Sequence, residues 1–468
     1  MVTEALARRL LGLSERLAGQ ETLLDGRATR IQLFSLSTIP MRTFHLAWMG
    51  FFVCFFAWFA VAPLMPVIRG DLHLTLNQVA NINIAAVGVT IFVRLLIGPL
   101  CDRFGARLTY TWLLALGALP VFAIGFSQGY ASFLFFRLCI GAIGASFVIT
   151  QVQTSTMFAA NVVGTANATT GGWGNAGGGV TQAVMPLILA AIVSLGVQQH
   201  YGWRLAMIVP GLLMVAMAVM YYRFGQDSPL GNGPRAKTVK TPHPYTAGQS
   251  FMMAARNYRV WMLFITYGAS FGIELTIHNL AATYYVDHFS LDMKTAGLYA
   301  GSFGLIALFG RALGGIFSDR VAHQRGLDGR TALLFGFILC EGLGLMLFSR
   351  MDSATGALLT MLGFGLFTHM ACGVTYSLTP FINPKAYGGV AGIIGAGGNV
   401  GAVAAGFLMK AAGGVQHGLF ILGALVTCSA FCAAAVRFGR EHKLAERSAY
   451  SQALRARDAD DAMSPSTA

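Results

Sequence analysis

The chain has 468 residues, of which 55% are hydrophobic and only 11% are charged, and its formal net charge is +13. Soluble domains carry about 25% charged residues, so this composition excludes an ordinary soluble protein and indicates a membrane protein. The seven cysteines lie in or beside apolar segments without a CxxC spacing, which predicts reduced packing residues rather than a disulfide framework or a metal site.

Apolar segments recur along the chain, and each has the length of about 20 residues that a helix needs to cross a bilayer. We predict twelve spans, numbered in chain order: 44–66, 78–100, 108–126, 131–153, 165–195, 204–224, 259–284, 294–317, 330–349, 353–377, 388–410 and 415–437. The longest internal polar break lies between spans 6 and 7. The predicted fold class is therefore an all-α, multi-pass membrane protein whose transmembrane helices form two six-helix halves.

The distribution of positive charge predicts the orientation of the chain. Of the 32 Lys and Arg residues, 24 lie in the termini and in the loops after even-numbered spans, and only four lie in the opposite loops. The positive-inside rule therefore places both termini in the cytoplasm, and it accounts for the net charge without a nucleic-acid partner. The predicted domains are an N-terminal segment (1–43), two six-helix halves (44–224 and 259–437), a cytoplasmic linker (225–258) and a C-terminal tail (438–468).

Spans 2 and 8 each carry an arginine in an otherwise apolar segment. Arg94 and Arg311 are both followed by Gly at +4 and by Asp-Arg at +8 and +9. A charged side chain at the bilayer centre costs about 2.5–3.5 kcal/mol on insertion scales, so such residues usually have a function. The matched arginines suggest that the two halves hold an anion between them, although ion pairs with the helix-end residues Asp102 and Asp319 remain an alternative.

A second repeated pattern occurs in spans 5 and 11. Gly-x-x-Gly-Asn-x-Gly is found at 171–177 and again at 395–401, which makes Asn175 and Asn399 equivalent. Two independent motifs thus agree on a six-plus-six repeat. Repeated halves with a site between them at the membrane midplane are typical of secondary transporters.

Span 7 places four polar or aromatic residues on one helical face. Tyr267, Phe271, Glu274 and His278 are spaced i, i+4, i+7 and i+11, which brings them to the same side of a helix. An intramembrane carboxylate with a histidine one turn away is a candidate proton carrier. The alternative is that Glu274 only balances the charge of the arginines.

The segment Gly98-Pro-Leu-Cys-Asp-Arg-Phe-Gly-Ala-Arg107 resembles the GxLxDRxGxR signature of the major facilitator superfamily, and 314–320 resembles its degenerate second copy. With twelve spans, this resemblance covers the whole chain and implies the major facilitator fold. We interpret five charged residues of the two copies as a cytoplasmic gate: Asp102, Arg103, Arg107, Asp319 and Arg320.

The glycine-rich segments 168–182 and 389–401 closely resemble the nitrate signatures of the nitrate/nitrite porter family within that superfamily. Three further segments, 41–52, 56–66 and 267–275, look like the family's branch of high-affinity nitrate uptake carriers. The resemblance therefore implies that the substrate is a small oxyanion, nitrate or nitrite.

The resemblance also implies the residues of the substrate site. It places the anion between the two arginines, adds the asparagine of the first signature and the tyrosine of span 7, and sandwiches the flat anion between two phenyl rings. Guanidinium is planar and always charged, and it can offer two parallel N–H groups to two oxygens of a planar anion. The predicted substrate residues are Arg94, Arg311, Asn175, Tyr267, Phe147 and Phe271, with Asn399 added as the repeat counterpart of Asn175.

Three other polar residues of the spans receive lesser roles. Arg137 in span 4 is expected to pair with a carboxylate or to assist a proton path. Glu341 and His369 lie in spans 9 and 10, and span 9 is peripheral in this fold, so we expect Glu341 to lie outside the pathway.

The resulting hypothesis is a multi-pass carrier of the cell membrane that imports nitrate by alternating access with proton symport, using Glu274 and His278. Nitrate/nitrite exchange, a non-transporting nitrate sensor and a carrier for organic acids remain alternatives. No nucleophile with its base is evident, so we predict no enzyme activity, no metal and no cofactor. The expected partners are nitrate or nitrite, protons and the lipid bilayer, and an accessory membrane subunit stays open.

Overall fold

The computed structural model describes residues 26–159, 161–232, 247–383 and 386–463. Every regular element within these ranges is a helix. Most of the predicted N-terminal segment (1–25), part of the linker (233–246) and the end of the tail (464–468) lie outside the described residues. The domain boundaries therefore stay predictions.

Helices with short interruptions form the first six spans. They are Ile39–Phe59 and Met65–Asp71 (span 1), Leu76–Phe104 (span 2), Ala106–Ala123 (span 3), Tyr130–Gly141 and Ser146–Met157 (span 4), Val163–Ser194 (span 5), and Gln199–Ala206 and Ile208–Phe224 (span 6). The break in span 1 follows from Pro63 and Pro66, and span 4 is interrupted by a 3-10 turn at Ala142–Ala145. Membrane helices tolerate such breaks where neighbouring helices satisfy the freed backbone groups.

The second half has the same organisation. Its helices are Tyr258–Phe289 (span 7), Met293–Leu305 and the first part of Ala307–Phe348 (span 8), the rest of that helix (span 9), Ala354–Leu378 (span 10), Tyr387–Ala411 (span 11) and Val415–Ala435 (span 12). Two further helices, Ala247–Ala255 and Arg440–Met463, precede and follow this half.

The helix Ala307–Phe348 contains parts of two spans. Its 42 residues would extend for about 63 Å at 1.5 Å per residue, about twice the thickness of the hydrocarbon core. Gly326 interrupts it with φ 59° and ψ −149°, between the predicted spans 8 and 9. Among the described residues, 11 helical segments are long and apolar enough to span, and one of them, Met293–Phe348, contains both spans. The arrangement agrees with twelve crossings.

The two halves pack through matching helix pairs. Span 2 packs against span 11, and span 5 packs against span 8. Small residues permit this approach: a Cβ atom built on Gly172 would lie 2.3 Å from the carbonyl oxygen of Ala307, whereas one built on Gly88 would lie 3.7 Å from Val403. Glycines in membrane helices commonly allow such close contacts. Gly172 and Gly179 of the first signature thus lie at the seam between the halves, whereas Gly397 and Gly401 of the second pack against span 7 of their own half.

We expect Gly172→Ala to destabilise the protein and Gly88→Ala to be tolerated. The added methyl group at Gly172 meets backbone, which cannot move aside as a side chain can, and overpacking of this kind costs about 1–3 kcal/mol. The measurement is the melting temperature of each purified variant in detergent. A Gly172→Ala protein with the melting temperature of the wild type would show that the helices at the seam can move apart to accommodate the methyl group.

Candidate functional site

The two arginines of the repeat lie beside the same pair of phenyl rings. Phe147 and Phe271 are nearly parallel, with ring centroids 6.0 Å apart and an interplanar angle of 20°. The Cζ atom of Arg94 lies 5.5 and 5.1 Å from these centroids, and that of Arg311 lies 5.9 and 5.4 Å from them. Each guanidinium group is nearly equidistant from the two rings, so both flank the gap between the rings. All four side chains are buried.

The gap between the rings is narrower than the predicted sandwich needs. Carbon contacts are optimal at about 3.5–4.0 Å, so a flat anion between two rings requires a separation of about 7 Å. The ring centroids of Phe147 and Phe271 are 6.0 Å apart. A sandwiched anion therefore requires the rings to separate by about 1 Å.

Two tyrosines complete an aromatic wall. Tyr267 stacks on Phe271 with centroids 5.1 Å apart, and Tyr376 of span 10 meets Phe147 and Tyr267 edge-on at 4.9 and 5.1 Å. The Tyr267 hydroxyl is buried without a hydrogen-bond partner among the described residues. Sequence reasoning missed Tyr376, because a single tyrosine in an apolar span gives no signal of its own.

Arg94 is bound by backbone carbonyl groups. Its Nε and Nη2 donate to the carbonyl oxygen of Gly144 at 3.3 and 3.2 Å, and its Nη1 donates to that of Gly395 at 2.5 Å. Gly395 opens the second glycine-rich signature, in the other half. Arg94 therefore joins the halves, and it makes no ion pair among the described side chains.

Arg311 has a carboxylate partner. Its Nη2 lies 2.5 Å from Oε2 of Glu274, and both side chains are buried. The alternative partner considered from the sequence, Asp319, instead contacts Thr165 and Arg330. With neutral histidines, Arg94, Arg311 and Glu274 give the site a net charge of +1, which matches one monovalent anion.

Two histidines lie beside Glu274. Nε2 of His278 is 4.0 Å from its Oε1, and Nδ1 of His369 is 3.5 Å from its Oε2. Nε2 of His369 lies 3.1 Å from the carbonyl oxygen of Phe303, which can only accept a hydrogen bond. Both histidines therefore border the Glu274 carboxylate, although sequence reasoning assigned His369 only a lesser role.

Asn175 lies on the face of span 5 that points to the site. A Cβ atom on Gly171, one turn earlier, would lie 3.5 Å from Nη1 of Arg311, and one on Gly178 would lie 3.1 Å from the His278 ring. Residues three and four apart share a helical face, so Asn175 lies between these two contacts. Its amide is buried, and neither end has a hydrogen-bond partner among the described residues.

Asn399 differs from its counterpart. Its Nδ2 donates to the carbonyl oxygen of Val87 at 3.1 Å and so ties span 11 to span 2. This contact supports a role in joining the halves rather than the predicted role in binding the substrate. The repeat is therefore symmetric in sequence and asymmetric in hydrogen bonding.

The first copy of the predicted gate makes contacts within its own half. Arg107 donates through Nε and Nη2 to the carbonyl oxygen of Tyr222, and its backbone N–H donates to Asp227. The side chains of Asp102 and Arg103 lie outside what the structure describes. Arg107 therefore anchors the end of span 6, and the gate role of this copy stays a prediction.

The second copy bridges the halves through Asp319. Its Oδ2 accepts from Thr165 of span 5 at 2.7 Å, and its Oδ1 accepts from Nη1 of Arg330 at 2.8 Å. Arg320 of the predicted gate is exposed, whereas the buried Arg330 contacts Asp319. Arg330 also forms an ion pair with Glu446 of the C-terminal helix. Burial raises the pKa of the Glu446 carboxyl group, and the positive charge of Arg330 opposes that shift.

Arg137 and Glu341 both have neutral hydrogen-bond partners. Arg137 donates to the carbonyl oxygen of Trp58 at 2.7 Å rather than to a carboxylate. Glu341 is fully buried and accepts a hydrogen bond from Ser270 of span 7. Span 9 thus contributes a side chain to the interior of its half.

Cross-half contacts lie on both sides of the arginine site. On the predicted external side are an ion pair and a hydrogen bond, Arg69–Asp287 at 3.5 Å and Lys410–Asn81 at 3.1 Å. On the predicted cytoplasmic side, Thr165 contacts Asp319. The arginine site is therefore enclosed from both sides.

Two packed six-helix halves that enclose a charged site define a membrane transporter rather than an enzyme. Residues 47–381 match the family model of the Major Facilitator Superfamily. The chain belongs to that superfamily and, within it, to the nitrate/nitrite porter family, in the branch of high-affinity nitrate transporters.

Sequence relatives support this assignment, and a solved structure supports the fold. The chain is 40% identical over 384 residues to "High-affinity nitrate transporter 2.3" of Oryza sativa subsp. japonica, covering 81% of this chain and 74% of that one. It is 28% identical over 440 residues to "Nitrate/nitrite transporter NrtP" of Nostoc punctiforme, covering 80% and 87%. A crystal structure of a bacterial homolog to the human lysosomal transporter Spinster matches with a TM-score of 0.62 and 12% identity, over 90% of this chain and 99% of that one, which shows the fold alone.

Proposed function

We propose that this protein imports nitrate across the cell membrane by alternating access, coupled to protons. The observation that carries the proposal is a buried site where two arginines and one ion-paired glutamate flank two parallel phenyl rings. The names of the relatives support nitrate as the substrate, with nitrite as a second substrate to test.

Unused hydrogen-bond donors support a substrate position beside Arg311. Nε of Arg311, the Tyr267 hydroxyl and Nδ2 of Asn175 are all buried without partners among the described residues. Buried donors are usually satisfied, and nitrate offers three acceptor oxygens. We assign these three residues, with Arg94, Phe147 and Phe271, to the binding site.

Nitrate and a proton should favour each other at this site. Nitrate beside Arg311 places a second negative charge near Glu274, which already holds that arginine at 2.5 Å. Protonation of Glu274 removes the repulsion between the two anions and frees the guanidinium group for nitrate. By linkage, each ligand then increases the affinity for the other. This mutual dependence is the physical basis that we propose for symport, with His278 and His369 as neighbouring proton acceptors.

Alternating access would require the cross-half contacts to break in turn. Opening to the outside separates Arg69 from Asp287, and opening to the cytoplasm separates Thr165 from Asp319. These contacts, with the Lys410–Asn81 hydrogen bond on the external side, lie near helix ends, and an exposed ion pair contributes only about 0–1 kcal/mol. Such contacts suit a device that must open on either side without a large energetic penalty.

We expect nitrate to evoke an inward current in membranes that contain the protein, and the current should grow as the external pH falls. An interior-negative potential opposes nitrate entry by about 2.3 kcal/mol per 100 mV. One proton per nitrate cancels the charge of the anion, so a net inward current requires more than one proton per nitrate. The measurement is uptake and current in proteoliposomes under imposed pH and voltage gradients. Current-free exchange that needs internal nitrite would favour antiport instead, and binding without flux would favour a sensor.

A further inference from the structure

Glu341 is a buried acid that the proposed cycle does not yet use. It lies in span 9, is 0% exposed, and accepts a hydrogen bond at Oε2 from the Ser270 hydroxyl at 2.7 Å. Its Oε1 is buried without a hydrogen-bond partner among the described residues. A membrane-buried carboxyl group is therefore held by one neutral donor.

No described cation neutralises Glu341. The buried arginines of the spans have other partners: Arg311 pairs with Glu274, and Arg94 and Arg137 donate to backbone carbonyl groups. Burying an unpaired ionised carboxylate is so costly that the group usually takes up a proton instead. We therefore infer that Glu341 is a neutral, protonated acid in this closed arrangement.

The neighbouring helices agree with a neutral acid. Thr368 of span 10 lies beside Glu341 and is a neutral hydroxyl, which also donates to the carbonyl oxygen of Phe364 at 3.0 Å. Span 12 packs against span 9 near Gly342 and Thr427, and its helix Val415–Ala435 contains no Asp, Glu, Lys or Arg. The described surroundings of Glu341 therefore supply neutral hydroxyl groups and no positive charge.

Glu341 is also connected to the arginine site. Ser270 precedes Glu274 by one turn on span 7, and residues four apart share a helical face. On span 10, Nδ1 of His369 lies 3.5 Å and Sγ of Cys372 lies 3.9 Å from Oε2 of Glu274. The two acids thus lie on either side of a strip of hydroxyl, thiol and imidazole groups from spans 7 and 10.

We propose that Glu341 carries a second proton in each transport cycle, which rests on the proposed proton-coupled import of nitrate. A proton from outside binds the carboxyl oxygen in the loaded state. After the cytoplasmic side opens, the same O–H bond breaks, the proton leaves to the cytoplasm and a carboxylate remains. Two protons with one nitrate move one net positive charge inward, whereas one proton with one nitrate moves none.

The test is the ratio of charge to nitrate in proteoliposomes containing Glu341→Gln. Glutamine keeps an oxygen that accepts from Ser270, but it cannot release a proton. We expect the wild type to move about one charge per nitrate, and Glu341→Gln to move close to none while it still takes up nitrate down a pH gradient. Asp352→Asn, which changes an exposed acid in the loop after span 9, is the matched control and should keep the wild-type ratio.

Each other outcome has a distinct meaning. An unchanged ratio in a folded Glu341→Gln protein would show that Glu341 only joins spans 7 and 9, and complete loss of uptake would also overturn the proposal. A wild-type ratio of zero would overturn the second proton and leave single-proton import intact. Absence of nitrate uptake by the wild type would overturn the proposed function itself.

Ser270→Ala provides a second test if Glu341→Gln fails to fold. The substitution removes the donor that stabilises the Glu341 carboxylate, so the protonated form is favoured. The charge-to-nitrate ratio should stay at the wild-type value, and the external pH of half-maximal uptake should move upward. An unchanged pH profile would overturn the proposal, since a merely structural hydrogen bond does not shift it.

Discussion

Arg311→Lys should lose most nitrate uptake although the positive charge is kept. Lysine can still pair with Glu274, but its ammonium group lacks the planar fork that offers parallel N–H groups to two oxygens of one anion. Loss of one charge-assisted hydrogen bond costs about 1.5–3 kcal/mol, or about 10- to 100-fold in affinity. Calorimetric titration with nitrate and uptake by proteoliposomes measure the two effects.

Two further variants make the test specific. Arg94→Lys should also lose uptake, because lysine cannot contact Gly144 and Gly395 together and still face the anion. Arg223→Lys changes an exposed arginine at the end of span 6 and should behave as the wild type. Near-normal nitrate affinity in either buried variant would refute the proposed binding of nitrate by the two arginines.

The sequence was most informative where the membrane makes a residue costly. Charged side chains are rare in spans, so Arg94, Arg311 and Glu274 were conspicuous, and the helical period brought Tyr267 and Phe271 to the face of Glu274. The structure brings these five residues together around the two parallel rings. The rarity of charged residues in a span and the helical spacing of residues are local properties of the sequence. Both can be recognised without knowing which helices are in contact.

Partners across helices could not be read in the same way. The sequence offered Arg311 two carboxylates, Asp319 two turns along the same helix and Glu274 on span 7, and only the packing shows that Glu274 is the partner. Likewise, nothing near Glu341 in the sequence indicates Ser270, which lies 71 residues away. Such pairs depend on how the helices are rotated and packed.

The internal repeat predicted that matched residues of the two halves have the same contacts, but packing gives them different ones. Asn175 and Asn399 occupy the same place in their motifs, yet Asn399 donates to Val87 and Asn175 has no partner among the described residues. The gate copies differ similarly, because Arg107 binds within its half and Asp319 bridges the halves. An internal repeat predicts the positions of equivalent residues, but each half meets different neighbours, so their contacts diverge.

Glu274→Gln should destabilise the substrate-free protein and increase the stabilisation by nitrate. Removing one partner of a buried ion pair leaves an uncompensated charge, which costs about 3–5 kcal/mol. Arg311 would then lose the negative charge that lies 2.5 Å away, although the glutamine oxygen can still accept from it, and the net charge of the site would rise from +1 to +2. Nitrate can supply the missing negative charge, so the nitrate-induced rise in melting temperature should exceed that of the wild type.

The measurement is thermal unfolding in detergent with and without nitrate. Glu441→Gln, which changes an exposed acid in the C-terminal helix, should show the wild-type response. Chloride at the same ionic strength controls for screening. An equal nitrate response in Glu274→Gln and the wild type would mean that the anion and Glu274 do not share Arg311, and the proposed coupling would lose its basis.

Together the two substitutions separate binding from coupling. Arg311→Lys should weaken nitrate binding, whereas Glu274→Gln should strengthen it, because the first removes donors from the anion and the second removes a competitor for them. Both should impair proton-driven import. Arg311→Lys impairs it because nitrate binds more weakly. Glu274→Gln impairs it because a neutral residue neither takes up a proton nor displaces the anion from Arg311 afterwards. A carrier must release its substrate as well as bind it, and the carboxylate that competes for Arg311 makes release possible.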